Sequence, residues 1–97
     1  MNKSYIYILS NKNKSVLYIG VTSNLIQRIK EHKNSEASVF TKRYNVNELV
    51  YFEEFTEINE AIIREKQLKK WNREWKWDLI KEMNPNLIDL YDEIMLG

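Results

Sequence analysis

The sequence predicts an α+β fold in which a three-stranded antiparallel sheet is flanked by helices. Three observations predict it. Two runs rich in β-branched and aromatic residues, "YIYIL" (Tyr5–Leu9) and "VLYIGV" (Val16–Val21), flank a short polar stretch, which is hairpin spacing. A third such run, "NELVYFEEF" (Asn47–Phe55), lies near the middle of the chain. Beyond it the pattern changes to helical periodicity, so the helices pack on a sheet instead of alternating with parallel strands.

In the hairpin, Asn11–Lys14 read as a four-residue loop, which pairs Ser10 with Ser15 and sets Tyr7 directly across from Tyr18. Strand side chains alternate faces. Tyr5, Tyr7, Tyr18 and Gly20 therefore share one face, and Ile6, Ile8, Leu17 and Ile19 form the other, the expected core. "TSN" (Thr22–Asn24) offers several N-caps for a helix over about Leu25–Lys33. Asn34–Ser38 reads as a loop. After the third strand, Thr56 is the expected cap of a helix over about Glu57–Trp71. Asn72 breaks it from the next, about Arg73–Met83, which ends at Asn84–Asn86 because Pro85 cannot continue a helix. Leu87–Met95 reads as a closing helix.

The chain has 97 residues, which suits one domain over 1–97, and 43% of them are hydrophobic, enough for a core and against disorder. It has no cysteine, which excludes disulfide scaffolds, thiolate metal sites and cysteine nucleophiles. No apolar run approaches the ~18 residues of a membrane span, and no secretory signal is visible, so a cytoplasmic location is expected. The net charge of +1 hides an asymmetry: residues 1–50 sum to +5 and residues 51–97 to −4. A basic first half suits a polyanion, and two solvated surfaces of different sign suit it equally well.

Two helices carry polar groups on apolar faces. On the first, Leu25, Ile26 and Ile29 form a stripe, and Arg28 and His32, four apart, sit at its edge. On the second, Ile58, Ile62, Leu68 and Lys69 lie on one side with Ala61 beside them, and Glu65 falls in their midst. A buried carboxylate needs a partner. Either a cation of the chain (Arg28, Lys42 or Arg43) supplies it, or a hard metal ion does. Trp71, Trp75 and Trp77 are expected to pack at the helix junction.

Tyr-Ile-Tyr (5–7), Tyr-Ile-Gly (18–20) ten residues further on, Arg28 and His32 on the next helix and Glu65 on the helix after the third strand occur in a characteristic order. This order resembles the GIY-YIG nuclease superfamily, and in particular its small stand-alone bacterial members, similar to the N-terminal cutting domain of bacterial excinuclease C. The stretches "AIIREKQLKKWNREWKWDLI" (Ala61–Ile80) and "MNPNLIDL" (Met83–Leu90) look like theirs. Tyr5 stands where the name-giving pattern has glycine, whereas Tyr7 keeps that motif's tyrosine.

The resemblance implies hydrolysis of DNA phosphodiester bonds with one Mg²⁺ or Mn²⁺, structure-specific or nonspecific and related to repair. By position it makes Glu65 the metal ligand and Arg28 the group that binds the scissile phosphate. Tyr7 and Tyr18 line the side of the attacking water, and His32 accepts or relays a proton. It also implies DNA contacts for Lys30, Lys33, Lys42 and Arg43 and, from an asparagine late in the family's domain, for Asn84. A protein partner that supplies specificity fits the same reading, and a catalytically silent nucleic-acid-binding module is its rival.

Overall fold

A computed structural model describes residues 3–97. β1 (Ser4–Ser10), β2 (Leu17–Thr22) and β3 (Glu48–Phe55) form an antiparallel sheet of order β2-β1-β3. Helices α1 (Leu25–Lys33) and α2 (Val39–Arg43) follow β2, and α3 (Ile58–Lys70), α4 (Arg73–Met83) and α5 (Tyr91–Leu96) follow β3. The expected α+β class and antiparallel sheet are therefore present. Among the described residues no helix is long and apolar enough to cross a membrane.

The hairpin register differs from the expected one. Tyr7 pairs with Gly20 and Ser10 with Leu17, so the loop has six residues, 11–16, and Tyr18 lies across from Leu9. Asn11 is the reason. Its Oδ1 accepts from the backbone N–H of Ser15 at 2.8 Å and of Val16 at 3.1 Å, which holds both residues in the loop. The slip is two residues, so the face of every side chain is unchanged.

Both faces are packed, where the alternation suggested one core face. Ile6, Ile8 and Ile19 meet Ala61 and Leu68 of α3 and Ile80 of α4. Tyr7 and Leu9 meet Leu25 and Ile29 of α1, and Leu90 just ahead of α5. β1 is the central strand, and a strand covered by helices on both sides buries both sets of side chains. A bulge between Ile8 and Leu9 leaves Val50 without a paired residue.

The helix starts are mostly local. Asn24 caps α1 by accepting from Gln27 N–H at 3.2 Å, and Asn72 caps α4 by accepting from Trp75 N–H at 2.8 Å. Thr56 does not cap α3. Glu57 is the N-cap residue, without a side-chain bond, and the Thr56 hydroxyl donates to Glu60 at 3.3 Å. Leu87–Leu90 is irregular, so the closing helix starts four residues later than expected. Ile26 and Ile58 leave their expected stripes and are exposed. Of the three tryptophans, Trp71 and Trp77 pack against the core while Trp75 is exposed.

Candidate active site

The site forms where β1, β2, α1 and α2 meet. Tyr7 is fully buried, and its ring lies over Gly20 of the neighbouring strand. A Cβ at position 20 would fall within 2.5 Å of Tyr7 Cζ, so only glycine leaves room for the phenol. The central strand thus dictates the glycine of Tyr-Ile-Gly.

His32 is 3% exposed, on the buried side of α1 with Leu25 and Ile29. Its Nε2 lies 3.0 Å from the Tyr7 hydroxyl and its Nδ1 3.0 Å from Thr41 Oγ1. The Thr41 hydroxyl donates to the Ser38 carbonyl at 3.3 Å, so its oxygen is left to accept. His32 then carries its proton on Nδ1, and its bare Nε2 accepts from Tyr7 O–H; this tautomer is assigned from the network. Burial, reinforced by the Arg28 charge, pushes the His32 pKa down to about 4, so the imidazole is neutral near neutral pH. Burial also pushes Tyr7 up to about 12; Tyr18 and Glu65 raise it further and Arg28 opposes them. Both groups are held uncharged.

Arg28 sits at the border of α1 with its side chain 41% exposed, 3.2 Å from Glu31. Tyr18 is half-buried, its ring 6.4 Å from Tyr7 and 5.5 Å from His32 between centroids. Glu65 follows Ala61 and precedes Leu68 on the buried side of α3 and is itself half-buried. Its charge reaches the Tyr7 phenol. None of the three nominated cations pairs with it; Lys69, one turn along the same helix, lies 3.3 Å away. The i, i+4 spacing of Glu65 and Lys69 is visible in the sequence. The Glu65 side chain is 20% exposed, so it keeps a path to solvent beside that one ion pair.

Among the described residues no group of three or more His, Cys, Asp or Glu is placed to hold a metal. Glu65 alone fits a cation that keeps most of its water and shares substrate phosphate oxygens, which is Mg²⁺-type binding. It does not fit a caged structural metal.

The expected DNA contacts divide. Lys30, Lys42 and Arg43 are all exposed to solvent. Lys33 is engaged within the chain: its ammonium lies 2.5 Å from Asp89 Oδ2 and donates to the Asn47 carbonyl at 3.1 Å. Asn84 is 3% exposed and committed to the fold. Its amide donates to the carbonyls of Val50 at 3.2 Å and Ile88 at 2.7 Å and accepts from Ile88 N–H at 3.1 Å. It is the C-cap of α4, and it satisfies the carbonyl stranded at the bulge of β3. In the structure both side chains tie distant parts of the chain together.

Sequence reasoning misses three contributors. Thr41 fixes the His32 tautomer from α2, a five-residue helix too short to show periodicity. Lys69 and Lys76 line a cleft of about 270 Å³ with Leu17, Tyr18, Ile19 and Phe40. They belong to the acidic half of the chain, so charge summed by halves misplaces the cations around the site.

This fold and this grouping define a GIY-YIG catalytic domain. Residues 3–78 match that family, and the chain belongs to it. A UPF0213 protein of Clostridium perfringens is 44% identical over 77 residues, covering 79% of this chain and 82% of that one. A UPF0213 protein of Staphylococcus saprophyticus is 39% identical over 82 residues, covering 84% and 99%. The solution NMR structure of a UPF0213 protein from Bacillus halodurans superposes with a TM-score of 0.52 at 30% identity, over 81% of this chain and 83% of that one.

Proposed function

We propose that the protein is a divalent-metal-dependent endonuclease that hydrolyses DNA phosphodiester bonds. The carrying observation is the buried Tyr7–His32–Thr41 chain of hydrogen bonds, whose phenol feels both Arg28 and Glu65. A fold of this size gains nothing in stability from burying such a network in place of apolar side chains.

Glu65 would hold Mg²⁺ or Mn²⁺, which supplies positive charge to the phosphate oxygens. Arg28, at the rim, binds the scissile phosphate and opposes the charge that grows on it. Tyr18 walls the pocket on the cleft side. Tyr7 accepts a proton from the attacking water as its own passes to His32 Nε2, and Thr41 keeps the other ring nitrogen protonated. A low His32 pKa makes the free imidazole a weak base. The anionic charge that builds on the phosphate raises it at the moment of transfer.

Lys30, Lys42 and Arg43 contact phosphates without reading bases, so cutting is structure-specific or nonspecific, and a role in DNA repair follows from that substrate class. Sequence specificity, where present, comes from a protein partner.

The test is cleavage of labelled linear, nicked, flapped and branched DNA with Mg²⁺ or Mn²⁺. Wild type cuts at least one of them, and Glu65→Ala lowers the rate by about 10³-fold while DNA binding persists. A wild-type protein that binds DNA and cuts none of these with either metal is the silent binding module instead.

A further inference from the structure

Helix α2 has two unlike faces. Inward, Thr41 is 2% exposed against His32. Outward, Phe40 and Tyr44 are 42% and 44% exposed. Their rings continue the site toward solvent. Phe40 stacks on Tyr18 at 6.0 Å and 28°, and Tyr44 lies 5.0 Å from Phe40 at 49°. Arg43 holds its guanidinium 5.5 Å from the Tyr44 centroid, beside exposed Lys42. Across the row, Lys69 and Lys76 line the cleft that Tyr18 and Phe40 share.

Neighbouring exposed rings at the mouth of a polar site mark a binding surface. Cations on both sides choose its occupant, because a flat apolar group between anionic groups is the chemistry of a nucleobase on its phosphate backbone. Inside a duplex both faces of a base are already covered, so only an unpaired base offers a face to stack.

We propose that Phe40 and Tyr44 form a subsite that stacks an unpaired nucleobase next to the cleavage centre, with Lys76 on an adjoining phosphate. The subsite rests on the reading of the protein as acting on DNA, and it makes the preferred substrate a strand with unpaired bases at the cut.

The experiment measures fluorescence anisotropy in EDTA, so that nothing is cut. The probes are a single strand of about 12 nucleotides, the same strand with tetrahydrofuran abasic units, and the duplex. Wild type is expected to bind the intact strand at least tenfold tighter than the abasic one. Phe40→Ala and Tyr44→Ala each weaken the intact strand by about tenfold and leave the abasic strand unchanged. Phe40→Leu, which keeps apolar bulk but no ring, behaves like the alanine variant, and Phe40→Trp retains binding. Lys76→Ala lowers the salt dependence for every probe.

Equal affinity for intact and abasic strands, or an intact-to-abasic ratio that survives loss of both rings, overturns the proposal. The two readings fail separately. A protein that cuts DNA but shows no such ratio loses the subsite and keeps the nuclease. One that shows the ratio and cuts nothing keeps the subsite and loses the nuclease.

Discussion

Two polar clusters packed against the sheet are built differently. Around Asn84 and Asp89 almost every partner is a backbone group: Val50 and Ile88 for the amide, Leu49 and Tyr91 N–H for Asp89 Oδ1. Among the described residues Lys33 alone adds a side chain, and its charge is balanced by Asp89 on the spot. Around His32 the bonds run from side chain to side chain, through groups that can gain or lose a proton. Asn84 and His32 are equally buried, at 3% exposed each, so burial of the central side chain does not separate cement from chemistry. What separates them is whether the partners can change protonation state, and whether the charge of Arg28 and, at Tyr7, of Glu65 acts on them.

Four changes break or sharpen that contrast, the largest first. Tyr7→Phe removes the proton acceptor without emptying the core. It lowers the cleavage rate by about 10²- to 10⁴-fold and costs only about 1–2 kcal/mol in denaturant unfolding, because His32 Nε2 loses its donor. Gly20→Ala drives a methyl into the Tyr7 ring. It lowers stability by about 3 kcal/mol and cleavage with it, since the phenol has nowhere to go but off His32.

The third change is pH. The unfolded His32 titrates near its ordinary 6.5 and the folded one near about 4, so between these values the unfolded chain binds the extra proton. The stability this group contributes is complete above the unfolded pKa and is lost as pH falls through the folded one. Unfolding free energy should therefore drop by roughly 2–3 kcal/mol from pH 6.5 to 4, and His32→Gln should flatten that part of the profile. A slope unchanged in the variant assigns the effect to carboxylates instead. The smallest change is Asn84→Ala, which orphans the Val50 carbonyl and Ile88 N–H. It costs about 2 kcal/mol of stability and leaves cleavage of folded protein within about twofold. A large loss of DNA cutting at unchanged stability would restore Asn84 as a ligand contact and dissolve the contrast.

Much of the fold is legible in the sequence because its signals are local. The hairpin strands, α3 and α4 announce themselves by periodicity, and Asn24, Asn72 and Pro85 punctuate them. The misreadings are equally instructive. Spacing makes the hairpin loop too short because the Asn11 side chain holds Ser15 and Val16 through bonds that composition does not reveal. Alternation leaves the tyrosine face open because it says which residues share a face, not whether a helix covers it. Among the site residues, Arg28, His32 and Glu65 stand out as polar groups beside apolar stripes. Phe40, Thr41 and Lys76 carry no such mark, and the intrachain partners of Lys33 and Asn84 lie too far along the sequence to be read from it.

By itself the sequence determined the strands, the longer helices and the family, because propensity, capping and spacing act within a few residues and the motif is an ordered set of letters. It also held the asymmetry that a lone histidine and a glutamate sit where leucine would serve stability better. Only the tertiary structure decided their partners. Tyr7 reaches His32 across 25 residues and Asn84 reaches Val50 across 34. Contacts that far apart exist only once the sheet and its two helical layers close, and the identity of the group across each gap decides whether a buried polar atom holds the fold or moves a proton.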